Sequence, residues 1–387
     1  MDDDRQDLTV DARSSGASGA VERPARPLLD PLDRLVRLIG DDGPSLALMA
    51  GLSIIASGTA VFGHIVIADD WRHVMQPGFN IDIALSSGRW LHALTIALLG
   101  ADLVAPAVTL AAMLALWWVG LVAVGRSAGL DQTGRFLLLA VFTFNPLLAA
   151  FIGFETNHIA GGLSVLFCLM SGLTALRLAD RVAPDTPGTV FRVADAPGVL
   201  VPMALFAAGA AGFQQFAVLM PMAVATVWGA RLMRGEAVTL AGALRRAWIV
   251  LAVMLGGLAL YALSVVVVLA VAGAETAGGV YALEGGYAVR DFQAVAAFRR
   301  FASHLVQFLF LPQAGVPLIA KLLVLAALGI VALHAFRALA SGERRLAGII
   351  VLGLVAGLIL LPWMLGLIRI ASPYYYRALA PVALSWA

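Results

Sequence analysis

Cysteine occurs once, at Cys168, and of the 26 basic residues only Lys321 is lysine. A single cysteine excludes a disulfide within the chain and leaves a cysteine-based metal site implausible. Charged residues make up 13% of the chain, about half the share in soluble domains. GxxxxGK[ST], GxGxxG after a strand, HExxH and CxxC are all missing. Their absence argues against an ATP-driven pump, a nucleotide-sugar enzyme with a soluble Rossmann-like domain, and a zinc protease. The histidines at 64, 73, 92, 158, 304 and 334 are scattered without metal-ligand spacing. No feature points to nucleic acid, and a divalent cation is compatible with the chemistry below without being called for by any spacing.

What fills the chain is apolar. Hydrophobic residues account for 61% of 387 and mean hydropathy is +0.90. Runs near 20 residues long predict an all-α polytopic membrane protein. Residues 1–27, rich in Asp, Arg, Ser, Gly and Pro, read as a disordered cytoplasmic tail. In residues 28–44, Leu32, Leu35, Val36 and Ile39 recur at helical spacing opposite Asp33, Arg34 and Arg37. That pattern predicts a short amphipathic helix on the membrane surface, followed by a linker. Residues 45–387 then form the transmembrane domain.

Apolar spans are expected at about 45–67, 103–124, 136–153, 159–178, 197–212, 214–230, 248–272, 314–336 and 347–368. A further run over 378–387 is too short to cross about 30 Å of hydrocarbon, so the last helix reads as incomplete. The pair 197–212 and 214–230, split by GFQQF, reads as a helical hairpin, with one broken helix as the alternative. With the tail in the cytoplasm and the hairpin accepted, the cytoplasmic loops carry Arg126 and Arg135; Arg177, Arg181 and Arg192; Arg231, Arg234, Arg245 and Arg246; and Arg337, Arg344 and Arg345. This satisfies the positive-inside rule. Two long segments, 68–102 and 273–313, fall outside. Each contains a stretch read as amphipathic, RWLHALTIALL and DFQAVAAFRRFASHLVQFLF, able to roof a cavity.

The outer segments hold the candidate chemistry. Asp69 and Asp70 end the first span, where burying a carboxylate in hydrocarbon would cost several kcal/mol. A carboxylate there is a candidate general base, and its neighbour's charge raises the proton affinity of one of the pair; the bland alternative is a helix end in the headgroup layer. Asp69, nearer the span, is the first choice. Glu155 in FETNHIA is a second acidic position on the same face, and Asn157 and His158 are candidates for sugar hydroxyls; an ordinary polar turn is the alternative. Arg72, Arg89, Arg299, Arg300 and Arg377 run against the positive-inside trend, and arginine forks bind phosphate oxygens. Anionic headgroups are their other natural partner. Trp71 and His73 flank the acidic pair as candidate sugar contacts. Gln214 and Gln215 are polar points between spans, read as lining a cavity or as satisfying a turn.

The first span's end, ADDWRHVM, followed by SSGRWLHALTIALL, resembles the bacterial serotype-converting O-antigen glucosyltransferases. FNPLLAAFIGFETNH, GFQQFAVLMP and YYYRALAPVAL are similar to that family's later landmarks. Trp90 stands where the family often has Pro, and Phe213 precedes Gln214 where a Tyr-Gln pair is usual. The resemblance implies a GT-C-like bundle of about nine or ten transmembrane helices. It implies transfer of a sugar, a glucose-like hexose favoured, from a polyprenyl-phosphate donor to an envelope glycan or glycolipid on the outer face of the bacterial inner membrane. Asp69 or Asp70 would be the base and Arg72 or Arg89 the donor-phosphate ligand. The competing readings are a transporter or lipid flippase, which would put polar groups at mid-membrane depth, and a non-catalytic envelope assembly subunit.

Overall fold

The computed structural model describes residues 30–62, 79–99, 106–144, 158–182, 196–273, 299, 318–342 and 344–360. The expected tail, most of segment 273–313 and the run over 378–387 lie outside them. Among the described residues the chain is helical, with no strand. It divides into two compact units, Met1–Pro44 and Ser45–Ala387. Helix α1 (Asp30–Phe62) contains Pro44, so residues 41–44, expected as a linker, are helical.

Among the described residues four helices are long and apolar enough to cross a membrane: Ala107–Ser127, His158–Arg181, Phe216–Met233 and Leu240–Ala272. The second unit is organised around one of them. We number its helices α2 (Phe79–Ser86), α3 (Trp90–Leu99), α4 (Pro106–Ser127), α5 (Gln132–Thr143), α6 (His158–Val182), α7 (Ala196–Gly212), α8 (Leu219–Met233), α9 (Leu240–Ala272), α10 (Leu318–Ala340) and α11 (Arg345–Leu360). A 3₁₀ helix, Gln214–Val218, links α7 to α8.

Helix α6 is the hub. Lipid is as apolar as leucine, so membrane helices associate through close packing and small residues more than through the hydrophobic effect. The α6 sequence HIAGGLSVLFCLMSGLTAL supplies those small residues. A Cβ on Gly162 would sit 3.1 Å from the Met113 Cα of α4, and one on Gly172 would sit 2.6 Å from the Met220 carbonyl oxygen of α8. On a third side, Gly209 of α7 meets the Ser164 carbonyl at 3.1 Å by the same construction.

These contacts also give the directions of the helices. Gly198 lies near Leu178 and Gly212 near Ala160, so α7 runs antiparallel to α6. Met220 meets Gly172, and Arg231 pairs with Asp180, so α8 returns parallel to α6. The two legs therefore reverse at Phe213, as a hairpin does and a single broken helix does not. Phe206 of α7, Met220 of α8, Ala175 of α6 and Val253 of α9 close a shared core cluster.

Helix α9 starts at Leu240, earlier than the span expected at 248. Its first turns carry Arg245 and Arg246, which read as loop, but Thr239 caps the helix by accepting from Gly242 N at 3.1 Å. Arg246 is held by Asp180 at 3.2 Å and Glu236 at 2.8 Å.

The stretch RWLHALTIALL departs from its expected amphipathic form. In α3 the polar His92 and Thr95 are buried, while Leu94, Leu98 and Leu99 are exposed. Leu91, Ala93 and Ile96 are buried with His92 and Thr95, so the helix is apolar outside as well as inside, unlike a helix lying in water.

Candidate functional site

Helix α2 stops in a Schellman motif. Arg89 N donates to Ala84 O at 2.7 Å and Gly88 N to Leu85 O at 2.8 Å. Gly88 sits at φ 75° to close it. The two serines reinforce the stop, Ser87 Oγ donating to Ile83 O at 2.7 Å and Ser86 Oγ to the same carbonyl at 3.2 Å. Arg89 then opens α3, its carbonyl accepting from Ala93 N at 3.0 Å. SSGRW is thus a rigid corner between two short helices, with Arg89 at its apex.

Distant parts of the chain clasp that corner. Gln214 Nε2 donates to Ser87 O at 2.6 Å and to Tyr261 Oη at 2.7 Å. Tyr261 Oη donates to Gly88 O at 3.3 Å, and Trp90 Nε1 donates to Ser264 Oγ at 2.8 Å. Ser264 Oγ in turn donates to the Tyr261 carbonyl at 2.7 Å. The corner, the α7–α8 reversal and the middle of α9 are locked together through polar groups that are each partnered, as a low-dielectric setting requires. Arg89 is half-buried. Its Nε donates to Ser87 Oγ at 2.8 Å and its guanidinium lies 5.6 Å from the Phe213 ring centroid. Phe213 is buried and also meets the His92 ring at 5.0 Å. A guanidinium fixed by an aromatic face and a hydroxyl has little rotamer freedom left to lose on binding an anion.

Gly88 fits the corner for two reasons. A Cβ at φ 75° is strained, and it would stand 2.9 Å from Tyr261 Oη. Gly88→Ala is expected to destabilise the protein by about 1–2 kcal/mol from the backbone alone, with more from displacing Tyr261. Thermal unfolding in detergent, alongside Tyr261→Phe, checks this: an unchanged midpoint for Gly88→Ala would refute the clasp.

Of the residues expected from the sequence, Arg89 and Gln214 are brought to one corner. Gln215 lies in the same 3₁₀ helix. His158 begins α6 and is buried, its Nδ1 3.0 Å from Thr109 Oγ1 of α4, so it ties two helices together. Arg299 is exposed. Asp69, Asp70, Trp71, Arg72, His73, Glu155, Asn157, Arg300 and Arg377 lie outside the described residues. Among the described residues no three His, Cys, Asp or Glu side chains gather as a metal site.

Tyr261 and Ser264 are not among the residues expected from the sequence, where Phe213 enters only as a departure from the Tyr-Gln pair. Tyr261 and Ser264 are polar side chains one helical turn apart inside LALYALSVVVV, and that spacing within an apolar run was a usable signal.

The opposite end of the bundle is basic. Arg234 Nη1 donates to the Ala128 carbonyl, Arg231 and Arg246 share Asp180, and Arg344 packs over Gly235. The C-terminal ends of α4, α6 and α8 and the start of α11 therefore share one end, and the SSGRW corner lies at the other. The chain matches no family model, no characterised protein sequence and no solved structure.

Proposed function

We propose that the chain is a multi-pass membrane glycosyltransferase with a GT-C-like bundle. It moves a hexose, glucose-like, from a polyprenyl-phosphate donor to an envelope glycan or glycolipid on the outer face of the bacterial inner membrane. The observation that carries the reading is Arg89, a pre-positioned guanidinium at the end of the bundle remote from the basic loops. The positive-inside rule assigns that remote end to the exterior. There the corner would meet a donor whose isoprenoid stays in the bilayer and whose phosphate sits at its surface.

The chemistry is a single displacement. The acceptor hydroxyl oxygen bonds to the anomeric carbon as the bond from that carbon to the phosphate oxygen breaks. The hydroxyl proton goes to Asp69 or Asp70. Polyprenyl phosphate leaves carrying the added negative charge, which Arg89 stabilises, with Arg72 as a further ligand. Attack from the face opposite the leaving group inverts the anomeric configuration.

Deleting the gene is expected to remove one hexose from an envelope glycan or glycolipid, read by mass spectrometry. Arg89→Ala in the purified protein should lower turnover about 10²-fold, the scale for one transition-state donor. A retained anomeric configuration, or full turnover in Arg89→Ala, would count against the mechanism.

A further inference from the structure

The basic end carries more than a topology signal. Among the described residues its carboxylates are engaged: Asp180 holds Arg231 and Arg246, Glu236 holds Arg246, and Asp131 caps α5 by accepting from Gly134 N at 2.7 Å. Arg234, Arg337, Arg344 and Arg345 are exposed. Two of these lie against glycine turns. Arg234 lies over Gly129, where a Cβ would come within 2.7 Å of its guanidinium, while its Nη1 donates to the Ala128 carbonyl. Arg344 lies over Gly235, where a Cβ would come within 3.0 Å of its Nη2. Both glycines have positive φ, 68° and 100°, so each arginine rests on a turn that a side chain would obstruct. Arg234 adjoins Gly235 in the chain, so Arg344 lies against the turn that follows Arg234.

The surroundings decide what anion this suits. Next to Arg234 and Arg337 in the chain are Met233, 42% exposed, and Phe336, 57% exposed; Leu240 follows the α8–α9 turn at 60%. A soluble phosphate would use the arginines and leave these apolar side chains bare. A phospholipid uses both, its phosphate on the guanidinium forks and its acyl chains along the apolar side chains.

We propose that the α8–α9 and α10–α11 turns form a headgroup site for an anionic phospholipid, with Arg234 and Arg344 as the phosphate ligands. This rests on the membrane placement above and not on the transferase activity. Its probe is phosphatidylglycerol against phosphatidylcholine, counted on the purified full chain by native mass spectrometry and by binding to nanodiscs of each lipid. Phosphatidylglycerol is expected to be retained preferentially. Arg234→Gln with Arg344→Gln should lower that affinity about 25-fold, fivefold for each arginine. Arg177→Gln with Arg181→Gln, which removes two exposed arginines of α6 at the same end, should keep it within about twofold. Millimolar glycerol phosphate should not compete; competition would assign the site to a soluble phosphate instead. Equal loss in both double variants, or no lipid preference in the wild-type chain, overturns the site. Flotation on neutral phosphatidylcholine vesicles separates the premises: floating without a phosphatidylglycerol preference overturns the headgroup site alone, and failing to float overturns the membrane placement with it.

Discussion

Hexosyl transfer is expected to fall by about 10²–10⁴-fold when the acidic pair loses its base, the range that general base catalysis contributes. Asp69→Asn and Asp70→Asn, made singly and together, keep side-chain size and hydrogen bonding but cannot take a proton from an acceptor hydroxyl. One single variant should carry nearly the whole loss, and the double variant should add little to it. Asp82→Asn serves as the comparison. Asp82 is an exposed carboxylate in the first turn of α2, close to the corner in sequence, and no part of the proposed chemistry uses it. Insertion should be equal for all four proteins, and transfer of labelled hexose to a glycolipid acceptor is the measurement. Full activity with both Asp69 and Asp70 replaced would remove the enzyme reading as built. The clasped corner makes the outcome informative, because Ser87 and Phe213, which both variants keep, hold Arg89.

Gly172→Val is expected to cost about 3 kcal/mol or more, at the upper end for overpacking. The reason is what the added atoms meet. At most tight positions the neighbour is the end of a flexible side chain, which can turn aside. At Gly172 it is the Met220 carbonyl oxygen, 2.6 Å from the first added carbon, with Ala223 Cβ at 3.2 Å. Relief requires moving α8 as a body away from α6. That movement would drag on the Arg231–Asp180 pair and on the cluster of Ala175, Phe206, Met220 and Val253. The detergent-solubilised variant should lose its monodisperse peak or unfold at a clearly lower temperature. Gly353→Ala in α11, where no atom lies within 4 Å of the new carbon, should be neutral or slightly stabilising. Equal behaviour of the two variants would mean that α6 and α8 are not in backbone contact.

The helices were largely legible because apolar length is a local property of the sequence. The span expected at 103–124 is α4, and the span expected at 159–178 is α6. The interruption at GFQQF was visible because two glutamines cannot continue an apolar run unpartnered, although only the contacts along α6 establish that the chain reverses there. The start of α9 was hidden because Arg245 and Arg246 look like loop until Asp180 and Glu236, the former some 60 residues away in the chain, are seen beside them.

The site was legible in part. Arg89 and Gln214 stood out as polar residues at span ends, but nothing local connects them. Their link runs directly from Gln214 to the Ser87 carbonyl and is reinforced by Tyr261 and Ser264, at separations of 47 to 174 residues. The Thr109 contact of His158 was hidden because a histidine at a helix start looks the same in sequence whether it faces water or a threonine on the next helix.

The length of α9 has a consequence of its own. Its 33 residues extend about 50 Å, whereas a bilayer's hydrocarbon is about 30 Å deep. Arg246 is pinned at the basic end, which fixes where the excess must go. From there to Ala272 is still about 39 Å of helix, bearing the exposed Val266, Val267 and Val271. In a bilayer the far end of α9 must lean or draw the lipid up around itself. The same helix carries Tyr261 and Ser264, so under the proposed membrane placement a lean of α9 would be passed on to the Arg89 corner.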